Sequence, residues 1–145
     1  MKNKRCKLTI IRGIPGSGKS TFAKSNYKCL ILENDMFHIK SGNYDWKSEA
    51  MSDAVKWCFS TCEKALELGM DVVVSNTFTK RKFIEGYYKL AEKYNADFEV
   101  IRCTGNYQNI HDVPRYVMES MKRGFEDWDN EIYVWKLQVR NLGHL

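Results

Sequence analysis

The feature that most constrains the fold is the segment RGIPGSGKSTF, which runs from Arg12 to Phe22 and contains three glycines. Glycine loses more conformational freedom on folding than any other residue, so this density indicates a tight turn or a close backbone approach. The segment matches the pattern G-x-x-x-x-G-K-[ST], in which backbone N–H groups surround phosphate oxygens at the start of a helix. The sequence therefore predicts a phosphate-binding loop, which we call the P-loop.

The flanking residues have the composition that such a loop requires. KLTII before the loop is typical of a buried strand, and STFAKSNY after it is typical of a short helix. In this motif the lysine reaches the β- and γ-phosphates and the next hydroxyl binds Mg²⁺, which assigns these roles to Lys19 and Ser20. The residues expected to contact the nucleoside triphosphate are Gly13, Gly16, Ser17, Gly18, Lys19, Ser20 and Thr21.

Length and composition narrow the class of protein. A chain of 145 residues suffices for one domain with a real core. No apolar run approaches the roughly 20 residues of a membrane span, and the basic N-terminus lacks the apolar stretch of a signal peptide. We therefore expect a cytoplasmic protein with no membrane partner. Five cysteines without the spacing of a disulfide or zinc framework favour reduced thiols.

The positive charge is unevenly distributed. The net charge is +5, and residues 1–32 hold eight Lys or Arg and no Asp or Glu. A second basic cluster, Lys80-Arg81-Lys82, begins a predicted helix, where cations oppose the helix dipole. Lys80 and Arg81 are therefore candidate contacts for an anionic substrate such as a nucleic acid. A solvated helix face explains the same cluster.

Apolar strand-like runs alternate with helical patterns along the whole chain. The strand-like runs after KLTII are CLILE, DVVVSN, FEVIRC and EIYVWKLQV. Helical periodicity covers 48–68, 80–94 and a segment that opens at Pro114. This order predicts an α/β protein with a parallel sheet of about five strands, helices on both faces, and ligands at the carboxyl ends of the strands.

Asp35 is the leading candidate for a catalytic base, because the second strand ends in ENDMFH. Phosphoryl transfer needs an acceptor hydroxyl, a group that takes its proton, and positive charge on the γ-phosphate. Asp35 is also a candidate Mg²⁺ ligand beside Ser20; alternatively, it caps the next segment. His38 lies within one turn of it and is either an acceptor contact or a packed surface residue.

The third predicted strand ends in Asn76, where many P-loop enzymes carry an aspartate that holds the Mg²⁺ shell. The amide is neutral, although it still donates and accepts hydrogen bonds. Either Mg²⁺ depends on Ser20, Asp35 and phosphate oxygens, or Asn76 positions the substrate. A turn-forming asparagine is the third possibility.

The segment CTGNYQNIHDVP, residues 103–114, occupies the position of a lid over the nucleotide and contains no Lys or Arg. A kinase needs positive charge on its γ-phosphate in the transition state. We predict that Arg115, in the first turn of the following helix, supplies this charge; a surface arginine is the alternative. The other nearby cations are Arg102, Lys122 and Arg123.

These motifs, in this order, resemble the polynucleotide-kinase-like branch of small P-loop kinases found in phage and in nucleic-acid repair proteins. The resemblance implies an adenylate-kinase-like P-loop NTPase fold, a three-layer sandwich, in a single P-loop kinase domain over residues 1–145. It also implies ATP and Mg²⁺ as cofactors and places the family's catalytic aspartate on Asp35. The segments that carry it, between about residues 7 and 134, are LTIIRGIPGSGKST, ENDMF, VVVSNTFT, AEKYNADFEVIR and NIHDVPRYVMESMKRGFE.

The sequence departs from that branch at three places. His38 stands where the phage enzyme has an acceptor-binding arginine, Asn76 replaces an aspartate, and the lid has no arginine. We predict an ATP·Mg-dependent phosphotransferase, with the 5′-hydroxyl of a polynucleotide as first choice of acceptor. The alternatives are a kinase for a nucleoside or modified-base hydroxyl, and a catalytically weak ATP-binding module that acts through a partner.

Overall fold

The computed structural model describes residues 5–34, 48–107 and 113–135, and these form alternating strands and helices. The strands are Lys7–Arg12 (β1), Leu30–Leu32 (β2), Val72–Asn76 (β3), Asp97–Cys103 (β4) and Ile132–Val134 (β5). The helices are Lys19–Asn26 (α1), Ser48–Glu67 (α2), Arg81–Lys93 (α3) and Arg115–Arg123 (α4).

The five strands form one parallel sheet in the order β2-β3-β1-β4-β5. Strand β1 lies at the centre, and its last residue, Arg12, is level with Asn76 of β3 and Arg102 of β4. The chain therefore leaves the three inner strands at the same edge, and the P-loop begins there. The predicted α/β fold with a five-stranded parallel sheet is confirmed.

The central strands are apolar because helices cover both faces of the sheet. Four of the five residues of β3 are buried, whereas β5, at the edge of the described sheet, is partly exposed. One face of the sheet packs against α2 and α3, and the other packs against α1. This arrangement confirms the three layers. Core residues on the first face include Leu8, Ile10, Val74, Cys58, Cys62, Ile84 and Tyr87, and those on the second include Ile11, Val73, Ile101, Phe22 and Ala23.

The end of β5, the state of the cysteines and the length of the helices compare with the sequence as follows. The sequence predicts a fifth strand over residues 131–139, but β5 ends at Val134, and residues 136–145 lie outside the described part of the chain. All five cysteines are free, as expected for reduced thiols. Among the described residues, no helix has both the length and the apolar character needed to cross a membrane.

Arg12 is a fully buried arginine that ties three parts of the fold together. Its Nε and Nη2 donate to the carbonyl of Phe78 at 3.1 and 2.7 Å, and Nη2 also donates to the carbonyl of Glu126 at 2.6 Å. Its Nη1 pairs with the Glu131 carboxylate at 2.8 Å. Burial lowers the pKa of Arg12, and the hydrogen bond with Glu131 opposes that shift. The end of β1 is thereby fixed to the loop after β3 and to the segment after α4.

We predict that Arg12→Met lowers the free energy of unfolding by about 3–5 kcal/mol, because it leaves the buried Glu131 carboxylate without its main counter-charge. Urea denaturation followed by circular dichroism measures the loss. Arg5→Met is the matched control, since Arg5 pairs with Asp97 where both side chains are more than half exposed, and we expect a change below about 1 kcal/mol. Equal changes in the two variants would contradict a structural role for Arg12.

Candidate functional site

The P-loop joins β1 to α1 through backbone conformations that favour glycine. Gly16 has φ 81° and Gly18 has φ 95°, both in the left-handed region. A Cβ atom at Gly13 would lie 2.6 Å from the carbonyl oxygen of Cys103, so the loop also packs directly on the end of β4. The glycines of the motif therefore meet a requirement of the backbone. Around them, Ser17 is buried and Thr21 is exposed.

The start of α1 is electropositive. Lys19 donates from Nζ to the carbonyl of Ile14 at 3.1 Å, which places the ammonium group over the loop. The first turn of α1 holds no acidic residue, and no side chain caps the helix. Backbone N–H groups at a helix N-terminus together with a lysine form an anion site. The loop thus has the chemistry needed to hold phosphate.

Glu33 is a site residue that sequence reasoning missed. The Ser20 hydroxyl donates to Glu33 Oε1 at 2.7 Å, which joins the first turn of α1 to the residue that follows β2. The signal was present in the sequence, because Glu33 ends the run CLILE at the carboxyl end of a strand. Hydroxyl and carboxylate oxygens are the ligands that Mg²⁺ prefers, so Ser20 and Glu33 fit that ion. Asp35, also proposed for the metal, lies outside the described residues.

Asn76 connects the end of β3 to the residues after β2. Its Oδ1 accepts the backbone N–H of Asn34 at 2.8 Å. The amide therefore helps to fix the point from which the chain continues to Asp35. The structure does not describe Asp35 or His38, so their predicted contacts with an acceptor stay predictions.

Lys80 and Arg81 both contact the segment that follows α4. Lys80 donates from Nζ to the carbonyl of Gly124 at 2.6 Å. Arg81 donates from Nη1 to the carbonyl of Asp127 at 2.8 Å, and its backbone N–H donates to Glu126 Oε1 at 2.8 Å. These cations stabilise the fold, and their predicted contact with an acceptor stays a prediction.

A cavity of about 390 Å³ lies beside the P-loop, which we call the β4 cavity. The P-loop, the end of β4, α4 and Phe125 line it. Cys103 contributes a wall of this cavity, and burial raises the pKa of its thiol to about 11, against a smaller opposing effect of Lys19. The thiol is therefore protonated at neutral pH and acts as an apolar wall rather than a nucleophile.

A second cavity, of about 430 Å³, lies between α4 and the residues that precede α3, and we call it the α4 cavity. Its lining includes Thr79, Lys80, Tyr116 and Ser120, and Tyr116 is 76% exposed. The two cavities use opposite faces of α4. Arg115 is three residues before Met118 and seven before Lys122, which both line the β4 cavity, so helical spacing places Arg115 on that same face.

Sequence comparisons identify relatives of most of the chain and of smaller parts of it. The profile of a family described as "AAA domain" matches residues 8–111. An uncharacterized protein of Pasteurella multocida is 33% identical over 131 residues, covering 79% of this chain and 73% of that protein. A protein of Acanthamoeba polyphaga mimivirus, provisionally named a bifunctional polynucleotide phosphatase/kinase, is 34% identical over 96 residues, covering 66% of this chain and 20% of that protein.

A protein of Autographa californica nuclear polyhedrosis virus, provisionally named a bifunctional polynucleotide kinase/RNA ligase, is 31% identical over 106 residues. That match covers 63% of this chain and 15% of the viral protein. The chain thus spans about three quarters of the bacterial relative and a fifth or less of the two viral ones.

Solved structures with the same fold include several kinases. The APS kinase CysC of Mycobacterium tuberculosis, in complex with AMPPNP and APS, has a TM-score of 0.60 at 15% identity, with 90% of each chain covered. A chain of the Pnkp1/Rnl/Hen1 RNA repair complex has a TM-score of 0.60 at 20% identity, covering 84% of this chain and 39% of that one. Kti12 of Chaetomium thermophilum, in complex with ADP-AlF3, has a TM-score of 0.66 at 15% identity, with 88% of each chain covered. These likenesses show a P-loop kinase fold.

We predict that Glu33→Gln lowers the affinity of the nucleotide complex for Mg²⁺ by about 10-fold, because it removes a carboxylate beside Ser20 and leaves the loop intact. Calorimetric titration with ADP over a Mg²⁺ series measures this, and in EDTA the variant and the wild type are expected to bind alike. Glu92→Gln, an exposed change on α3, is the control. If Glu33→Gln and the wild type respond equally to Mg²⁺, Glu33 has no part in holding the metal.

Proposed function

The chain belongs to the AAA domain family, and from this membership and the geometry at the P-loop we propose that it is an ATP·Mg²⁺-dependent phosphotransferase. The proposed acceptor is the 5′-hydroxyl of a polynucleotide. The observation that carries the proposal is the 2.7 Å hydrogen bond from Ser20 to Glu33, which joins the phosphate loop to the strand end that leads to Asp35. We further propose that residues 1–145 form one P-loop kinase domain.

The phosphate donor binds at the P-loop. Backbone N–H groups of Gly16, Gly18, Lys19, Ser20 and Thr21, together with the Lys19 ammonium group, bind the β- and γ-phosphates, as the loop pattern requires. Mg²⁺ held by Ser20, with Glu33 and Asp35 as carboxylates, would neutralise phosphate charge. The complexes of CysC with AMPPNP and of Kti12 with ADP-AlF3 support an adenine nucleotide as donor.

The acceptor reacts on the β2 and β3 side of the P-loop. Asp35 accepts the proton of the acceptor hydroxyl as its oxygen forms a bond to the γ-phosphorus. The bond between that phosphorus and the β–γ bridging oxygen breaks, and ADP leaves. Asn76 holds the backbone of Asn34 and so positions the segment that carries Asp35. His38 is a proposed contact of the acceptor.

Two observations favour a nucleic acid as acceptor. The two viral relatives carry polynucleotide kinase names, and the RNA repair complex shares the fold. The α4 cavity, next to the loop after β3, offers the exposed aromatic ring of Tyr116 with a hydroxyl from Thr79 and a cation from Lys80. A base can stack on the ring while the polar groups contact its phosphate. Arg81, which neighbours Lys80, is a proposed contact with the phosphate backbone of the polynucleotide.

We predict that the protein transfers label from γ-labelled ATP to a 5′-hydroxyl oligonucleotide, and that Asp35→Asn lowers the single-turnover rate by about 100-fold or more. In EDTA, where no Mg²⁺ is bound, the affinity for ADP is expected to stay within about twofold, because Lys19 and the loop are unchanged. The control is Asp53→Asn, an exposed carboxylate on α2.

Three other outcomes would change this assignment. Transfer only to nucleosides or to modified-base DNA would replace the acceptor. Nucleotide binding without transfer to any hydroxyl in the panel would make the protein an ATP-binding module. If the Asp35→Asn variant keeps more than half of the wild-type rate, Asp35 is not the catalytic base and only caps the segment that follows it.

We predict that Arg115→Ala lowers the single-turnover rate at saturating ATP by about 10-fold or more, because the γ-phosphate then loses a cation in the transition state. Arg115 lies on the α4 face that borders the β4 cavity, whereas Arg123 lies near the end of the helix and lines neither cavity beside α4. Arg123→Ala is therefore the matched control. A loss below about threefold in both variants would mean that neither arginine of α4 assists transfer.

A further inference from the structure

The β4 cavity has the volume and lining of a site for a planar ring, and we call it the slot. Ile14 and Pro15 of the P-loop border one part of it, and Met118 and Phe125 border another. Its volume of about 390 Å³ falls within the range of small-molecule sites, roughly 300–1,000 Å³. Apolar walls of this kind cover the faces of a ring and leave its edge to polar groups.

The charged side chains that line this slot are cations. Among the described residues, Arg102 and Lys122 line it and no carboxylate does. Arg102 uses only Nη1 for its hydrogen bonds, to Asp127 at 2.6 Å, Glu131 at 3.2 Å and Tyr133 at 3.3 Å. Its Nε and Nη2, and the ammonium group of Lys122, make no hydrogen bond or ion pair with the rest of the described chain. The slot therefore offers donors that the described part of the fold does not use.

The position of the slot identifies the part of the nucleotide that enters it. In the sheet order, β2 and β3 lie on one side of β1, and β4 lies on the other. Ser20, Glu33 and Asn76 gather on the β2 and β3 side, whereas the slot opens on the β4 side of the same P-loop. With the triphosphate on the loop and the Ser20–Glu33 pair on the β2 side, the slot on the β4 side is left for the base.

We propose that this base site selects 6-oxopurines, so that GTP serves as phosphate donor alongside ATP and more efficiently, with Lys122 as the specificity-determining residue. Guanine presents two acceptors, O6 and N7, on one edge, whereas adenine presents N7 and an exocyclic amino donor. An ammonium group attracts O6 and repels the amino group. The expected preference in phosphate transfer rests on the proposed function, whereas the expected preference in nucleotide binding does not.

The experiment compares the three purine nucleotides that differ at the base edge. Steady-state kcat/KM is measured with GTP, ITP and ATP, where ITP has the 6-oxo group but lacks the 2-amino group of guanine. Calorimetric affinities for GDP, IDP and ADP are measured in parallel on the same proteins. The variants are Lys122→Met, Lys122→Arg and the control Arg123→Met, which removes the same charge from the next position without touching the cavity.

We expect the wild type to prefer GTP and ITP over ATP, and Lys122→Met to reduce the GTP-to-ATP ratio by about 10-fold. Lys122→Arg is expected to keep the preference, and Arg123→Met to leave it unchanged. A wild-type preference for ATP over both 6-oxopurines overturns the inference, as does an equal change of the ratio in Lys122→Met and Arg123→Met.

The two sets of measurements also separate this inference from the proposed function. Tighter binding of GDP and IDP that depends on Lys122, without phosphate transfer, supports the base site and refutes the kinase. Transfer with a preference for ATP supports the kinase and refutes the base site. Failure of all three diphosphates to bind refutes both.

Discussion

The arrangement of the site depends on one buried charge, the guanidinium group of Arg12. A buried charge is tolerated only when carbonyls and counter-ions surround it, so its partners have little freedom to move. Those partners are the carbonyls of Phe78 and Glu126 and the carboxylate of Glu131. Arg12 is also the last residue of β1, directly before the glycines of the P-loop. Its contacts therefore fix the start of the P-loop relative to the loop after β3 and to the segment after α4.

Phe125 connects the buried Arg12 to the β4 cavity. The guanidinium carbons of Arg12 and Arg102 lie 4.3 and 4.4 Å from the centre of its ring, and the ring and Arg102 both line the cavity. Cation–π contacts of this kind are strongest where water is excluded. Arg12 thus contacts both Phe125, which lines the proposed base site, and the loop after β3, which adjoins the proposed acceptor side.

The sequence predicted those features that depend on local chemistry and missed those that depend on distant partners. The P-loop and the inner strands were predictable, because glycine at positive φ and continuous apolar runs both leave a local pattern. The sequence shows Arg12 only as one of several basic residues near the N-terminus, because its partners Phe78 and Glu131 lie 66 and 119 positions away. Lys80 and Arg81 likewise indicate a solvent-exposed basic surface when only the sequence is considered, because their partners are distant in the chain. Their partners after α4 are 44 to 46 positions away.

Asn76 shows how a departure from a motif is compensated elsewhere in the site. An aspartate at the end of this strand usually supports the Mg²⁺ shell, and a neutral amide there suggests a weakened enzyme. Here the amide oxygen accepts the backbone N–H of Asn34, and a carboxylate stands instead at Glu33, in contact with the Ser20 hydroxyl. A carboxylate beside Ser20, the proposed Mg²⁺ ligand, is therefore present at the end of β2 rather than at the end of β3. Because a carboxylate in contact with a metal-binding hydroxyl supports Mg²⁺, Glu33 removes the objection that the neutral Asn76 raises against the proposed phosphotransferase.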